Sequence, residues 1–229
     1  MDAQVDRYST KSDFAYAEVR GRIVTGVYPP GTVLNQAALA AELGISTTPL
    51  RESLRRLKSE GLVELDAHRD ARVTDLSAEE ARDLLEIRRA LDPLAAGLAA
   101  ERRTKDDIAE MRAALSELEP LPNQPAVVDL VAHRRFHRAV YCASHNDLLI
   151  ATLDGLWDKA DRYRLVGLEE RRQQPERDRK ANEHRELFAA VTAGDREGVQ
   201  ELMLRHIRSS LGAKAASRLA ASETHHAVA

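Results

Sequence analysis

The chain has 229 residues, 43% of them hydrophobic and 31% charged, so it can bury a substantial core and is long enough for two ordinary domains. Its net charge of −3 excludes a non-specific coat for nucleic acid, and its single cysteine, Cys142, excludes an intramolecular disulfide. We find no segment with the pattern of a signal peptide or a membrane span, and therefore expect a cytoplasmic protein with no membrane partner.

Helices dominate the predictions for the first part of the chain. Apolar residues recur at helical spacing in three segments, at about 12–26, 35–44 and 46–59. Asn35 and Ser46 are the predicted N-caps of the second and third helices. The segments "LVEL" and "ARVTDL" then alternate apolar and polar residues, which predicts a small hairpin. Two short helices joined at Gly44 and followed by a hairpin are typical of a winged helix-turn-helix.

The second part of the chain is predicted to be entirely helical. Ser77 and Glu80 form a capping-box pattern at its start. An apolar stripe follows at Leu84, Ile87, Leu91, Leu94 and Leu98. Further helices are predicted at about 104–119, 126–143, 146–167, 177–193 and 195–219. We therefore predict a mostly α fold: a winged helix-turn-helix of three helices and a small β-hairpin (1–76), an all-helical antiparallel bundle (77–220) and a flexible tail (221–229).

The third predicted helix carries groups that suit contact with DNA. Its first turn offers the hydroxyls of Ser46, Thr47 and Thr48, and its exposed backbone N–H groups attract a phosphate. Arg51 can bond a guanine edge bidentately, and Arg55 can neutralise the phosphate backbone. The first 76 residues nevertheless carry nearly equal numbers of basic and acidic side chains. Composition alone therefore leaves an ordinary solvated helix as the alternative.

The order of the motifs in this region resembles the N-terminal domain of the GntR family of bacterial transcription regulators. The matching pieces are "GVYPPG", "LAAELGIS", "TPLRESL" and "LKSEGLV". The resemblance implies DNA contacts from Ser46, Thr47, Thr48 and Arg51, and it places His68 and Arg69 at a wing tip that touches the minor groove or the backbone.

This sequence departs from the family pattern at two positions. Many relatives carry Arg where this chain has Thr47, and the loss removes a potential guanine contact worth about 1–3 kcal/mol of discrimination. Relatives also carry Gly in the wing where this chain has Asp70, a carboxylate that repels phosphate unless it faces away. We expect an operator sequence different from those of the better-known members.

Four of the eight histidines lie on apolar faces of predicted helices. His133 and His137 are four residues apart and share one face, whereas His184 and His206 lie on two other helices. For any one of them, a hydrogen-bonded core histidine is the more common explanation. Together they suit Zn²⁺ or Ni²⁺, because neutral imidazole is a common metal ligand and a metal offsets the cost of burying four polar rings.

The second part of the chain resembles the helical FCD effector domain of the FadR-like subfamily. The resemblance rests on "LLEIRRALDPLAAGLAA", "RRFHRAVYCASHNDLL" and "EHRELFAAVTAGD", with a late histidine on the last helix. In many members an Asp and three histidines bind a divalent metal. Here the histidines fall on His137, His184 and His206, and His133 occupies the Asp position. Imidazole in place of carboxylate lowers the negative charge by one and shifts preference towards Zn²⁺, Ni²⁺ or Co²⁺.

The family also implies a pocket for a small carboxylate metabolite beside the metal. Arg88 matches a position that commonly lines this pocket, and Arg162 or Arg164, in "DRYR", is a candidate second wall. A guanidinium can bind a carboxylate bidentately. Each arginine could instead lie on the surface.

The leading interpretation is a homodimeric, ligand-responsive transcription regulator. Its two helix-turn-helix units would read a pseudo-palindromic double-stranded DNA operator, and the metabolite would relieve repression. One alternative is a helical metal-dependent hydrolase, but the chain has no His-Glu-x-x-His string, and Glu183 is expected to point away from the face of His184. Another is a regulator that senses the metal itself and so responds to metal alone.

Overall fold

The computed structural model describes residues 10–65, 70–166 and 173–227. The chain divides into two compact units, Met1–Leu76 and Ser77–Ala229. The N-terminal unit combines helices with a small sheet, and the C-terminal unit is helical throughout its described residues. The predicted mostly helical fold is thereby confirmed. No helix within the described ranges is long and apolar enough to cross a membrane.

Within residues 10–65 and 70–76, the N-terminal unit contains three helices and three strands. Their bounds are α1 Lys11–Val24, β1 Val33–Asn35, α2 Gln36–Leu43, α3 Thr47–Ser59, β2 Val63–Leu65 and β3 Asp70–Val73. The strands are antiparallel in the order β1-β3-β2, so that Ala71 pairs with Leu34 on one side and Leu65 on the other. The sequence predicted the β2–β3 hairpin but not β1, because three residues are too few to show a period of two.

The helix ends of this unit follow local capping rules. Asn35 Oδ1 accepts a hydrogen bond from the backbone N–H of Ala38 at 3.0 Å, which confirms the predicted N-cap of α2. Gly44 ends α2 in the left-handed conformation, with φ of 67°. Ser46 occupies the N-cap position of α3, but its side chain makes no capping hydrogen bond there.

The core of the N-terminal unit lies between α1, α3 and the sheet. Val19, Ile23, Leu50 and Leu54 are at most 1% exposed and belong to one hydrophobic cluster. The leucines of α3 therefore fix one face of this helix against α1 and leave the opposite face to solvent.

The part of the C-terminal unit that the structure describes contains seven helices. Their bounds are α4 Ala78–Arg102, α5 Lys105–Leu118, α6 Val127–Cys142, α7 Asp147–Val166, α8 Gln174–Ala193, α9 Arg196–Arg208 and α10 Leu211–Ala227. The long α4 packs against α6, α7, α8, α9 and α10. Helix α4 is therefore the element around which the unit is assembled.

The end of the chain differs from the prediction of one helix over 195–219. Helix α9 ends at Arg208, and α10 begins at Leu211 after a break at Ser209 and Ser210. Ser210 Oγ accepts a hydrogen bond from the backbone N–H of Ala213 at 3.2 Å, which caps the new helix. Residues 221–227, predicted as a flexible tail, continue α10 as far as Ala227.

The predicted apolar stripe of α4 is only partly buried. Ile87 is 47% exposed and Leu94 is 39% exposed. The buried face is instead rich in alanine, including Ala95 and Ala96 at 0% exposure, and also contains Arg88 and the acidic residue that pairs with it. Alanines permit close helix packing, and an ion pair can be buried beside them, so hydrophobicity alone selected the wrong face.

The start of α4 is tied to α7 rather than closed by a full capping box. Ser77 Oγ accepts a hydrogen bond from the backbone N–H of Glu80 at 3.0 Å. The Glu80 carboxylate instead accepts hydrogen bonds from Lys159 Nζ at 2.7 Å and the Tyr163 hydroxyl at 2.6 Å. The Tyr163 oxygen also accepts a hydrogen bond from the backbone N–H of Ser77 at 3.3 Å. The first residue of the C-terminal unit is thus held by α7.

We predict that Leu54→Ala lowers the free energy of unfolding by about 2–5 kcal/mol, because Leu54 is 0% exposed and its truncation leaves a cavity between α1 and α3. Chemical denaturation followed by circular dichroism measures this change. Glu52→Ala, on the exposed face of the same helix, is the control and should change stability by less than about 0.5 kcal/mol. Equal effects of the two substitutions would contradict the packing described.

Candidate DNA interface and metal centre

The N-terminal end of α3 presents an exposed polar face. Ser46, Thr47, Thr48, Arg51 and Arg55 are all exposed, and the helical spacing from Thr48 through Arg51 to Arg55 keeps them on one side of the helix. Because Ser46 makes no side-chain cap, the first N–H groups of α3 are left to solvent or to an anion such as phosphate. The structure thus brings the predicted DNA-contacting residues of this helix together.

The arginines of α3 have different surroundings. Arg51 Nε donates a hydrogen bond to Gln36 Oε1 at 3.0 Å, which orients its guanidinium from α2. The guanidinium of Arg56 lies 3.6 Å from the centroid of the Tyr16 ring and forms ion pairs within the unit. Arg56 therefore stabilises the packing of α3 on α1, whereas Arg51 and Arg55 belong to the exposed face.

The wing is described only in part. His68 and Arg69, predicted at its tip, lie outside the described residues. Asp70 opens β3 opposite Asn35, and its carboxylate accepts a hydrogen bond from Asn35 Nδ2 at 3.2 Å. This acidic side chain is thus engaged in the sheet.

Four histidines converge in the C-terminal unit. Helix α6 supplies His133 and His137, α8 supplies His184 and α9 supplies His206. One ring nitrogen from each lies within 4.8 Å of those of the other three. Zn–N bonds of about 2.1 Å place nitrogens about 3.4 Å apart around a tetrahedral ion and about 4.2 Å apart across an octahedral one. A small closure of the cluster would therefore bring all four nitrogens to bonding distance of one ion.

The electrostatics of the cluster favour neutral imidazoles. Burial, followed by the nearby charges of Arg164 and other groups, holds the pKa of His133 well below its usual value of 6.5. Burial has the same effect on the pKa of His137 and also lowers that of His206. Neutral imidazole is the form that binds a metal, so the fold presents these ligands already deprotonated.

Unsatisfied polar atoms also fit a metal site. Among the described residues, neither His133 Nδ1 nor His137 Nε2 has a hydrogen-bond partner, although both atoms are buried. Buried polar atoms of this kind are costly unless a partner is supplied. A metal ion between the rings would accept the lone pairs of such nitrogens, so the donor set and its surroundings fit a divalent cation.

Glu183 contributes to this site in a way that sequence reasoning missed. It was expected to point away from the histidine face, but its Oε2 accepts a hydrogen bond from His206 Nδ1 at 2.8 Å. The expectation considered α8 alone, whereas the contact reaches across to α9. Asp129, one turn before His133, is engaged elsewhere. Its carboxylate accepts a hydrogen bond from the backbone N–H of Ala126 at 2.7 Å, at the start of α6.

A cavity adjoins the histidine cluster. Its lining includes all four histidines together with Arg88, Trp157, Arg164, Lys180, Ser209 and Lys214. The guanidinium of Arg88 is fixed by two hydrogen bonds to Asp92 Oδ2, at 2.6 and 3.0 Å, and lies 4.1 Å from the centroid of the Trp157 ring. Arg164 donates to Asp161 at 2.8 Å. The cavity therefore combines oriented guanidinium groups with potential metal ligands.

The arginine predictions have different outcomes. Arg88 and Arg164 line the cavity, but Arg162 is not among the described residues that line it. Arg162 is buried elsewhere, where its charge acts on Glu80 and Tyr163 at the start of α4. Of the two alternatives, Arg162 or Arg164, it is Arg164 that lines the cavity, because residues two apart on a helix face different sides.

Trp157 is a cavity residue that the sequence analysis did not single out. It is the only tryptophan in the chain and is 2% exposed. Its ring centroid lies 5.2 Å from that of His137 and 5.9 Å from that of His133. Among the described residues, its indole Nε1–H has no hydrogen-bond partner. Helical spacing is the signal that could have identified Trp157. It lies one turn before Asp161 and two turns before Arg164, on the inner face of the same helix.

These features define a DNA-binding unit of the winged helix-turn-helix type joined to a helical unit with a ligand cavity. Residues 11–73 match the gntR family of bacterial regulatory proteins, and residues 83–209 match the FCD domain. The chain belongs to the GntR family of transcription regulators and carries an FCD domain. The hydrolase alternative is wrong, since the family and its relatives are regulators and not enzymes.

Individual relatives agree with this assignment. The chain is 31% identical over 196 residues to the probable D-xylose utilization operon transcriptional repressor of Paenarthrobacter nicotinovorans, covering 85% of this chain and 84% of the relative. It is 28% identical over 198 residues to the repressor GlaR of Escherichia coli, covering 84% and 90%. The solved structure of E. coli McbR/YncC matches with a TM-score of 0.78 and 24% identity, covering 88% of this chain and 95% of that one, which shows the shared fold.

We predict that the metal-free protein loses stability as the pH falls from about 7 to 5. The folded-state pKa of His133 and His137 is depressed, so their contribution is present above the unfolded value of 6.5 and is lost as the unfolded chain takes up protons below it. Thermal unfolding in the presence of a chelator measures this dependence. His137→Gln should flatten it. An identical slope in the wild type and the variant would contradict the burial argument.

Proposed function

We propose that the protein is a homodimeric repressor whose release from its operator requires a small carboxylate bound beside a divalent metal. The observation that carries this proposal is the placement of four histidines and two oriented arginines around one cavity. GntR regulators bind DNA operators and FCD domains bind small-molecule effectors. Two of the relatives described above are named as repressors, which supports repression here.

The DNA-binding part of the proposal rests on the exposed face of α3. Ser46, Thr47 and Thr48 offer hydroxyls beside uncapped N–H groups, so the helix terminus would anchor on a phosphate. Arg51 would reach the base edges, because it is exposed and oriented by Gln36. Arg55, one turn further, would add a backbone contact. A dimer applies this face twice, which suits a pseudo-palindromic operator.

The dimer is proposed to form through apolar residues of the C-terminal unit. Besides Ile87 and Leu94 of α4, Val128 and Val131 of α6 are 71% and 55% exposed, and Leu148 of α7 is 83% exposed. A contiguous apolar surface commonly marks a protein interface, and these side chains are proposed to contribute to one. A second copy that covers it would also place two DNA-binding units in one molecule.

The metal proposal follows from the chemistry of the donors. Four imidazoles provide nitrogen ligands without negative charge, which favours Zn²⁺, Ni²⁺ or Co²⁺ over the hard cations that prefer carboxylate oxygens. The same neutrality leaves the full charge of a divalent ion in a buried site. An anionic ligand would compensate that charge, and this supports a carboxylate as the effector.

The cavity offers further groups for such a carboxylate. Arg88 and Arg164 supply cationic donors, and the indole N–H of Trp157 is a buried donor that a ligand oxygen would satisfy. Because Asp92 already occupies Arg88, a ligand would share that guanidinium. This arrangement favours a compact acid whose oxygens can reach the metal and the arginines together.

We predict that Arg51→Ala abolishes specific operator binding while the protein stays folded and dimeric. Loss of a bidentate base contact costs about 1–3 kcal/mol in each half-site, so the combined loss in affinity should exceed about 30-fold. Mobility-shift titrations with operator and with random duplex measure it. Lys58→Ala, on the same helix, is the control and should weaken both duplexes to a similar degree. Unchanged operator affinity of the Arg51 variant would overturn this role.

We predict about one Zn²⁺ or Ni²⁺ per purified chain, and its loss in His184→Ala. Removal of one of four ligands opens the coordination shell and exposes the remaining imidazoles to competition from water. Elemental analysis measures the metal content, and His145→Ala is the control. Absence of metal from both wild type and variant would overturn the metal centre. Release of DNA by metal alone, without a carboxylate, would favour the metal-sensing alternative instead.

A further inference from the structure

The hydrogen bond from His206 to Glu183 determines which imidazole nitrogen is available. Glu183 Oε2 also accepts a hydrogen bond from the ammonium group of Lys180, so it is an acceptor in this contact and Nδ1 of His206 carries the proton. The lone pair of the neutral ring then lies on Nε2. The interaction between α8 and α9 thus selects one tautomer of one member of the histidine cluster.

The carboxylate of Glu183 is held in place by two donors, His206 Nδ1 and Lys180 Nζ. Lys180 Nζ donates to the same Oε2 at 2.8 Å and to Ser209 Oγ at 2.6 Å. Because Lys180 is itself anchored at the break between α9 and α10, Glu183 is fixed from both sides.

The carboxylate of Glu183 supplies negative charge close to the candidate metal ligands. The four candidate ligands are all imidazoles, so none of them carries a negative charge. Asp92 is a second buried carboxylate near His206, but it is committed to the ion pair with Arg88. Glu183 instead contacts a candidate ligand directly.

We propose that Glu183 is a positioning residue of the metal centre: it holds His206 with Nε2 towards the ion and supplies, through the imidazole, negative charge that the ligands themselves lack. This role rests on the proposed metal site. A carboxylate behind a ligating imidazole fixes the orientation of the ring and raises the basicity of its free nitrogen. The carboxylate thus acts from outside the coordination shell.

The chain offers a closely matched control. Glu186 lies on the exposed face of the same helix and forms an ion pair with Arg205 of α9 at 2.7 Å. Glu183 and Glu186 therefore each join α8 to α9, but only the contact made by Glu183 ends on a candidate metal ligand. Glu186→Gln tests the loss of an ion pair between these helices without touching the cluster.

The test is a titration of full-length metal-free protein with Ni²⁺ and Co²⁺. Trp157 is the single tryptophan and lies beside the cluster, so quenching of its fluorescence reports binding directly. Competition with a chelator gives the affinity. We expect Glu183→Gln to bind about 10–100-fold more weakly than wild type, because this is the usual effect of removing such a partner. Glu186→Gln should bind as wild type does.

Glu183→Asp separates charge from simple packing. It keeps the carboxylate on a shorter side chain and should recover part of the affinity lost in Glu183→Gln. Equal affinities of wild type and Glu183→Gln, or of the Gln and Asp variants, would overturn the proposed role. Failure of the wild-type protein itself to bind either ion would overturn the metal centre instead, so the two proposals fail in distinguishable ways.

Discussion

The desolvation of four imidazoles is the constraint on which the C-terminal unit depends. Helices α6, α8 and α9 each place at least one polar ring in the interior of the unit. Such rings are tolerated when they are neutral and when their nitrogens find partners. The unit meets this requirement by burying the rings against one another, by pairing His206 with Glu183, and by leaving nitrogens that face a shared space. The same burial that lowers the pKa of His133, His137 and His206 keeps these rings in the neutral form that metal ions bind.

The N-terminal unit depends on local rather than overall charge. Acidic and basic residues are nearly balanced along its length. The leucines of α3 bury one face, Arg56 is held over Tyr16, and Arg51 and Arg55 remain on the exposed face. Packing therefore sorts the cations of one short helix into those that stabilise the unit and those that can contact a phosphate backbone or a base edge.

Much of the fold could be predicted from the sequence because its signals are local. The cap at Asn35 and the stop at Gly44 involve residues within one helical turn, and the shared face of His133 and His137 follows from their spacing. The break at Ser209 and Ser210 was not predicted, although its signals are local too: Ser210 caps α10, and Gly212 is a poor helix former.

Other features depend on contacts between distant segments. The hydrogen bond of Glu183 joins α8 to His206 of α9, and strand β1 forms because β3 pairs with it. The buried face of α4 was misjudged for a related reason. Its alanines and the pair Arg88–Asp92 are less hydrophobic than Ile87 and Leu94, yet the small side chains let neighbouring helices approach and the pair neutralises itself. Hydrophobicity along one helix cannot reveal which face its neighbours will cover.

Two adjacent residues of helix α7, Tyr163 and Arg164, contact two different parts of the C-terminal unit. Arg164 lines the ligand cavity, while the hydroxyl of Tyr163 holds Ser77, the residue at which the chain enters the C-terminal unit. The two side chains leave the helix in different directions but share one stiff backbone. A rotation or slide of α7 that adjusted Arg164 to a ligand would carry Tyr163 with it. The position of Arg164 in the cavity and the position of Tyr163 at the start of the C-terminal unit are therefore coupled through the backbone of α7.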